Sequence, residues 1–539
     1  MSRKPKTKGQ AKSVQPSGPS LPNDKTPVRL LSIFALVIIF LASMSRILLA
    51  AVPMSRDEGT YGYLGRMASK GFTPYVDFYE MKPPMLFYLY GLGGSLFGFT
   101  DFGLRFYALL LNLASCLLLY LILQRYIPKT YALVSAAMFA ILSINAYAFG
   151  FAMVAEHLIN TLIVLSLFLL HKSYDQKGHL YVILAGVFFA SAVLTKQTAL
   201  LLSPVFLLCF ILERKQKPWL AQCLRFAAGA ILPIGLMGIL LLINGALEEA
   251  MYWLITYPSR YTAVVDAEEG KKYLVYFSKN ISVFQLSLFI AGLLALAGNV
   301  FRGKQKPNTW LLVYFMLAII SLLPGFRFYG QYWLLMFVPM AMMAGTAMHG
   351  LDQINKRIGL LSALILLVCL AGELGFHRAY YFFKDKSEDV SKLYKNNPFG
   401  PIRKLSSYAG ELMKEDETIM MLGSEPQAYL YADRMAPTKH IFMSMISKHD
   451  EKSKAFITET MNDLENNTPT YILFNFFSYS WALNEKSNDT LYVSAYKYVV
   501  NHYTPVAAFN MNTSSYLYAG NGDLIQPTVA NQVILFKRK

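Results

Sequence analysis

Long apolar segments recur through the first two thirds of this chain and are separated by short polar loops. Most of them approach the length of about 20 residues that a helix needs to cross a bilayer. Predominantly basic loops alternate with loops that carry carboxylates, and basic loops are typical of the cytoplasmic side of a membrane. The pattern predicts a polytopic α-helical membrane protein. About eleven transmembrane helices are expected, at 30–52, 102–124, 131–149, 153–170, 180–194, 199–212, 224–243, 281–300, 310–323, 334–348 and 358–376.

Composition supports this class and argues against a soluble nucleic-acid-binding protein. Only 15% of the residues are charged, against about 25% in ordinary soluble domains. The net charge of +17 comes from short basic clusters between the apolar segments. A basic face with interleaved aromatics, as in nucleic-acid-binding domains, is not evident. The four cysteines lie in or beside apolar segments, so neither a disulfide framework nor a zinc site is indicated.

The chain divides into three predicted regions. Residues 1–29 are expected to form a disordered basic cytoplasmic tail, and residues 30–377 a transmembrane domain. Residues 378–539 are expected to form a soluble extracytoplasmic α/β domain with a parallel or mixed sheet. Its local signals are one helix-like segment at 401–414 and strand-like segments at 418–422, 471–474 and 532–536, with helical patterns between them.

The first extracytoplasmic loop, residues 53–100, concentrates reactive side chains. Asp57 and Glu58 stand at the start of a segment with helical spacing, and a carboxylate there can act as a general base. Such pairs also occur at helix N-termini simply because they favour the helix dipole. Lys82 precedes two prolines, which hold it in an extended conformation suited to binding a phosphate. The alternative is that Lys82 only reaches lipid head groups. Tyr61 and Asp77 lie in the same loop, and residues 84–99 are expected to form an interfacial helix.

Other outer loops contribute further polar side chains. Glu156 interrupts an apolar segment and requires a cavity or a partner, for which His157 is a candidate. Lys196 interrupts the next apolar hairpin on the same side. Arg327 and Tyr329 lie in a compact turn, where they suit a phosphate and a sugar ring or, alternatively, belong to an aromatic belt. The topology brings these residues to the same face as Asp57.

At these residues the sequence resembles the bacterial C-type (GT-C) membrane glycosyltransferases, which are related to dolichyl-phosphate-mannose protein mannosyltransferases and lipid A aminoarabinose transferases. The resemblance is carried by the segments DEGTYGYLGR, GFTPYVDFYEMKPPM, AEH, LTKQT and RFYGQYW. It implies that Asp57 is the base or acceptor-positioning group and that Lys82 contacts the donor phosphate. It assigns the family's second acidic position to Glu156 and the aromatic-basic turn to Arg327 and Tyr329. Gln331 stands where relatives often have histidine.

The sequence therefore predicts an inverting glycosyltransferase. It would move a sugar from a polyprenyl-phosphate donor to a lipid, glycan or protein acceptor at the outer face of the cell membrane. Within that family metal dependence varies, so a divalent metal ion is left open. The predicted catalytic residues are Asp57 and Glu58, and the predicted substrate-binding residues are Lys82, Tyr61, Asp77, Glu156, His157, Lys196, Arg327 and Tyr329.

Two other functions remain open from the sequence. The first is a transporter or flippase of lipid-linked glycans, which should carry its ionisable residues near the bilayer midplane rather than at one surface. The second is a non-catalytic membrane anchor for the soluble domain, which leaves the polar outer loops unexplained. The sequence contains no Walker A loop, dinucleotide fingerprint or nucleophile elbow that indicates a competing chemistry.

Overall fold

The computed structural model describes residues 26–175, 178–212, 218–262, 264–290, 292–293, 309–382, 394, 397–483, 487–527 and 530–539. The described residues up to 382 are mainly helical, and a sheet domain follows from residue 397. The predicted N-terminal tail lies outside the described residues as far as residue 25.

Sixteen helices of the first part are numbered here in chain order. They are α1 Thr26–Leu49, α2 Arg56–Ser69, α3 Met85–Phe97, α4 Asp101–Leu123, α5 Lys129–Leu142, α6 Ala155–Asp175, α7 His179–Val193, α8 Ser203–Leu212, α9 Trp219–Ile243, α10 Leu247–Met251, α11 Tyr257–Thr262, α12 Ala267–Phe284, α13 Thr309–Ile320, α14 Leu334–Ile354, α15 Lys356–Phe376 and α16 Arg378–Phe382.

Six helices of the described residues are long and apolar enough to cross a membrane, namely α1, α4, α6, α9, α14 and α15. They coincide with six of the predicted spans. Four further predicted spans correspond to the shorter apolar helices α5, α7, α8 and α13. The predicted span at 281–300 begins in the last turn of α12, and residues 291 and 294–300 of it lie outside those described. The chain is a multi-pass helical membrane protein, as predicted.

The outward faces of the spans are apolar. On α9, Leu236, Ile239 and Leu242 each expose more than half of their surface. A soluble protein rarely exposes apolar residues in such continuous stretches, whereas a lipid-facing helix requires them. Inside the bundle, Gly186 of α7 and Gly229 of α9 allow the two backbones to touch. A Cβ atom on Gly186 would overlap the carbonyl oxygen of Phe226, and one on Gly229 would lie 3.0 Å from Cα of Ile183.

The C-terminal domain holds a mixed five-stranded sheet with helices packed around it. Its strands are β1 Ile419–Leu422, β2 Tyr471–Asn475, β3 Tyr503–Asn510, β4 Ser515–Tyr518 and β5 Gln532–Arg538. Its helices are α17 Phe399–Leu412, α18 Gln427–Tyr431, α19 Met443–Ile446, α20 Glu451–Asn467 and α21 Thr490–His502.

The strand order is β1-β2-β5-β3-β4, with β1 and β2 parallel and the other pairs antiparallel. The predicted mixed sheet is confirmed. The helical patterns predicted between 471–474 and 532–536 correspond to α21, but the β3–β4 hairpin that follows α21 was not predicted. Pro505 lies in β3 beside a register shift, and a proline normally argues against a strand.

One hydrophobic cluster joins the segment between α1 and α4 to the sheet domain. It contains Leu64 of α2, Tyr90 of α3 and, from the sheet domain, Met420 and Leu430. The sheet domain, called the soluble domain below after its prediction from the sequence, therefore covers the loop that carries the predicted catalytic residues.

Candidate active site

The first turn of α2 presents two adjacent carboxylates to different surroundings. The helix begins at Arg56, so that Asp57 and Glu58 both lie in its first turn. Successive residues on a helix point about 100° apart, because one turn takes 3.6 residues. Asp57 is partly exposed, whereas Glu58 is fully buried.

Glu58 is held by hydrogen bonds on both of its oxygens. The guanidinium of Arg105 donates from Nη2 to Oε2 over 2.7 Å and from Nε to Oε1 over 2.9 Å, and the backbone N–H of Met153 donates to Oε1 over 2.9 Å. Arg105 is itself buried and donates to the carbonyls of Leu49 and Pro53. Glu58 and Arg105 thus form a buried ion pair that ties α2 to α4 and to the start of α6.

Asp57 faces a polar site shared by several loops. Its Oδ2 accepts a hydrogen bond from Nε2 of Gln331 at 3.1 Å. Desolvation raises the pKa of the Asp57 carboxyl above its ordinary value; the charge of Lys82 lowers it, and that of Glu156 raises it further. A carboxylate with a raised pKa that remains within reach of solvent is a suitable general base near neutral pH.

Lys82 is positioned by its own backbone. The hydroxyl of Tyr75 donates to the carbonyl of Lys82 at 2.5 Å, and the amide of Gln197 donates to the carbonyl of Met81 at 3.1 Å. Desolvation lowers the pKa of the Lys82 ammonium, and the charge of Glu80 opposes that change. Among the residues that the structure describes, no hydrogen-bond or ion-pair partner is found for this ammonium group. It is free to bind an anion.

Glu80 was missed as a site residue in the sequence. Its side chain is 4% exposed, and Oε1 accepts a hydrogen bond from the backbone N–H of Met81 at 2.9 Å. Desolvation raises its pKa; the charge of Lys82 lowers it, and that of Asp57 raises it. The available signal was its position two residues before Lys82 in the motif YEMKPP.

Glu156 and Lys196 form a second ion pair, in which Nζ and Oε1 are 2.5 Å apart. The ammonium of Lys196 also lies 3.8 Å from the centre of the Tyr332 ring. The expectation that His157 is the partner of Glu156 was wrong. His157 contacts the carbonyl of Gly150 through Nε2 at 2.9 Å, because it points to another side of α6.

The aromatic-basic turn between α13 and α14 lies close to this ion pair. Arg327 stacks over the ring of Tyr261 at 4.0 Å and donates from Nη1 to the hydroxyl of Tyr329 at 3.2 Å. Tyr329 in turn contacts Tyr332, with 5.8 Å between the ring centres. Tyr332 therefore connects the Arg327 side of the turn to Lys196.

Tyr61 and Asp77 take different positions. Tyr61 is nearly buried and packs edge-on against Tyr90; burial raises its pKa, and the charges of Asp57 and Glu80 add to that change. Asp77 accepts a hydrogen bond from the backbone N–H of Thr73 at 2.7 Å and so closes a local turn. Tyr61 borders the site, whereas the hydrogen bond from Thr73 gives Asp77 a structural role in the turn.

Metal ions in proteins are commonly held by acidic, imidazole and thiolate side chains. Among the described positions, no three His, Cys, Asp or Glu side chains come together in a group that could hold a metal ion. The sequence left the dependence on a divalent metal ion open and made no prediction of it.

Comparisons with known proteins address the fold and part of the sequence. The sequence model of the family described as dolichyl-phosphate-mannose-protein mannosyltransferase matches residues 81–241, which include Lys82, Glu156 and Lys196. An uncharacterized protein from Aquifex aeolicus (strain VF5) is 32% identical over 160 residues, which are 29% of this chain and 31% of that protein. The match thus spans less than a third of the length of this curated relative.

Two crystal structures of ArnT from Cupriavidus metallidurans resemble the whole chain. The structure bound to undecaprenyl phosphate matches with a TM-score of 0.54 at 12% identity, covering 95% of this chain and 98% of ArnT. The apo structure matches with a TM-score of 0.56 at 12% identity, covering 94% and 97%. This chain has the GT-C fold.

In this GT-C fold the match extends over both the transmembrane helices and the soluble domain. The predicted resemblance to C-type membrane glycosyltransferases is confirmed. Within the site, hydrogen bonds, ion pairs, ring contacts and charge interactions connect Asp57, Lys82, Glu156 and Lys196 with the turn that carries Arg327 and Tyr329.

Proposed function

We propose that the protein is an inverting glycosyltransferase that uses a polyprenyl-phosphate sugar as donor. The acceptor is a lipid, glycan or protein with a free hydroxyl. The observation that carries this proposal is that Asp57 and Lys82 belong to one polar site. There the charge of the Lys82 ammonium acts on a desolvated carboxylate, and this ammonium has no hydrogen-bond or ion-pair partner among the described residues. The relative whose fold is shared, ArnT, was crystallised with undecaprenyl phosphate.

In the proposed reaction Asp57 acts on the acceptor hydroxyl and Lys82 acts on the leaving phosphate. The Asp57 carboxylate takes the proton of the acceptor hydroxyl, whose oxygen attacks the anomeric carbon of the donor sugar. The bond between that carbon and the phosphate oxygen breaks, and the polyprenyl phosphate leaves with the electron pair. Lys82 stabilises the negative charge that develops on the phosphate.

The remaining charged residues receive supporting roles in this proposal. Glu58 positions α2 through its ion pair with Arg105, because both of its oxygens already accept hydrogen bonds. Lys196 is neutralised by Glu156 and fixes the Tyr332 ring at the wall of the site. Arg327, which stacks on Tyr261, is left as the second cation for the phosphate or the sugar.

The proposed location is the cell membrane, with the N-terminus in the cytoplasm and the soluble domain outside. This orientation rests on the basic loops at alternate ends of the spans. It exposes the site to lipid-linked donors rather than to cytoplasmic nucleotide sugars. Membrane lipids are therefore part of the substrate environment.

Binding of the lipid phosphate is the first experiment, because it does not require the sugar to be known. Full-length protein in detergent is titrated with undecaprenyl phosphate, and the thermal unfolding midpoint is recorded. A ligand that binds only the folded state at about 100 times its Kd stabilises by about 2.7 kcal/mol. Lys82→Ala should lose most of this shift. Lys70→Ala, which removes an exposed lysine after α2, is the matched control and should retain the shift.

Transfer is the second experiment. Protein in liposomes is incubated with radiolabelled undecaprenyl-phosphate sugars and with acceptors extracted from the producing membrane. Asp57→Asn should lower product formation about 100-fold or more, the usual range for a lost general base. A folded Asp57→Asn protein with full activity contradicts the proposal. Movement of the labelled lipid across the bilayer without product indicates the transporter instead.

A further inference from the structure

The soluble domain contacts the first residue of α2 through a fully buried carboxylate, that of Glu425. This residue follows β1 and precedes α18, and its side chain has no exposed surface. One oxygen, Oε1, accepts a hydrogen bond from Nη2 of Arg56 at 2.6 Å. The other, Oε2, accepts from the hydroxyl of Ser480 at 2.6 Å and from the backbone N–H of Ser424 at 3.0 Å. Glu425 is therefore held rigidly from both sides.

Arg56 is the residue immediately before Asp57. Its guanidinium lies between two aromatic rings of the soluble domain, 5.9 Å from the centre of Phe399 and 6.0 Å from that of Tyr479. It retains 23% of its side-chain surface, so it stands at the edge of the site rather than in the core. The positive charge of Arg56 is one of the groups that lower the pKa of Asp57 against the larger effect of desolvation.

The rest of α2 is fitted to the same domain with little free space. A Cβ atom on Gly59 would overlap Cβ of Gln427 and lie 2.9 Å from its Cα. The hydroxyl of Tyr63 accepts a hydrogen bond from the backbone N–H of Ala436 at 2.7 Å. At the end of the helix, Arg66 pairs with Asp433 at 2.8 Å, although the Asp433 side chain is 84% exposed.

We propose that Glu425 is a positioning residue for the transfer reaction: by fixing Arg56 it holds the Asp57 carboxylate in place, so that the soluble domain forms part of the active site. The inference rests on the proposed function, because it presumes that Asp57 acts as the base. Its physical basis is the desolvation penalty of a buried carboxylate. An interface that only shielded α2 from solvent could be formed by apolar side chains without this penalty. The ion pair of Arg66 and Asp433, in which only Asp433 is exposed, shows a second kind of contact between α2 and this domain.

The closing experiment measures the pH dependence of transfer by full-length protein in liposomes, with the labelled undecaprenyl-phosphate sugar that gives product. Glu425→Gln keeps the shape and removes the negative charge, which leaves Arg56 uncompensated beside Asp57. The acidic limb of kcat/KM should move to lower pH by about half a unit or more. Arg56→Gln should move the same limb to higher pH, and the double variant should lie near the wild type.

Asp433→Asn is the matched control, because it breaks the other ion pair between α2 and the soluble domain. It should leave the acidic limb in place. If Glu425→Gln does not fold, the shift caused by Arg56→Gln at the partly exposed partner still tests the inference. If the acidic limb of kcat/KM does not move in either Glu425→Gln or Arg56→Gln while Asp57→Asn is inactive, the inference is overturned. The proposed function is then unaffected. An active Asp57→Asn protein overturns the proposed function itself.

Discussion

Gln331 donates a hydrogen bond from Nε2 to Oδ2 of Asp57 across 3.1 Å, and the two residues are 274 positions apart in the chain. The bond joins the first outer loop to the turn between α13 and α14. A hydrogen bond to an ionised carboxylate favours the charged form, so it opposes the effect of desolvation on Asp57. Gln331 therefore helps to keep the proposed base ionised.

Removal of this amide is expected to weaken catalysis. Hydrogen bonds to charged groups contribute about 1.5–3 kcal/mol, so Gln331→Ala should lower kcat/KM by about tenfold or more. The acidic limb of the pH profile should also move to higher pH, because the ionised form of Asp57 loses a donor. Gln331→His, which keeps a side-chain N–H that can donate to Asp57, is the control and should retain more activity. Equal activity in all three proteins at every pH contradicts this role.

The raised pKa of Asp57 also predicts how stability depends on pH. A carboxyl group with a higher pKa in the folded protein than in the unfolded chain binds its proton more tightly when folded. Its contribution to the free energy of unfolding is complete below the unfolded pKa and is lost as pH rises through the folded pKa. Asp57→Asn should therefore unfold at a higher temperature than the wild type at neutral pH. The difference should close on acidification, as measured by thermal unfolding between pH 4 and 8. The same difference in unfolding temperature between the two proteins at every pH contradicts the prediction.

Glu58 is expected to matter for folding rather than for chemistry. Glu58→Ala leaves the fully buried guanidinium of Arg105 without its partner, and breaking a buried ion pair costs about 3–5 kcal/mol. The variant should give much less monodisperse protein after extraction, with a lower unfolding midpoint. Asp57→Asn, one residue earlier, is the comparison and should extract normally. A Glu58→Ala protein that is as stable as the wild type but inactive assigns Glu58 to the reaction instead.

The fit between α2 and α18 gives a test at Gly59. In Gly59→Ala the new methyl group meets Gln427, and overpacking of this kind typically costs about 1–3 kcal/mol. Transfer should fall because α2 is displaced from the soluble domain. Gly235→Ala in α9 is the matched control, since no described atom beyond its own stretch of helix lies within 4 Å of its Cβ position. Similar activity of the two variants contradicts the close packing at Gly59.

The sequence predicted the charged members of the site better than their partners. Lys82, Glu156 and Lys196 are conspicuous because charge is rare next to apolar segments. The partner of Glu156 was wrongly expected in its neighbour His157, whereas Lys196 comes from a different hairpin. Glu80 was overlooked because Lys82, in the same motif, was taken as its functional residue. The contact of Gln331 with Asp57 was not predicted because Gln331 carries no charge. Contacts across hundreds of residues depend on tertiary packing, which periodicity does not reveal.

The same limit applies to the fold. The long spans were predicted well because hydrophobicity decides them, and α2 was predicted from its helical spacing. The β3–β4 hairpin was missed because Pro505 and two alanines weaken the signal of β3, and β4 has only four partly exposed residues. Both strands are stabilised by pairing within the sheet rather than by local preference.

The close approach of α7 and α9 at Gly186 and Gly229 has a consequence for lipid access. Helices whose backbones touch can part only by leaving a void between their main chains, and small residues at such positions favour close association in membranes. The seam between α7 and α9 therefore cannot serve as a lateral gate. The isoprenoid tail of the proposed donor is therefore expected to enter through a different side of the bundle.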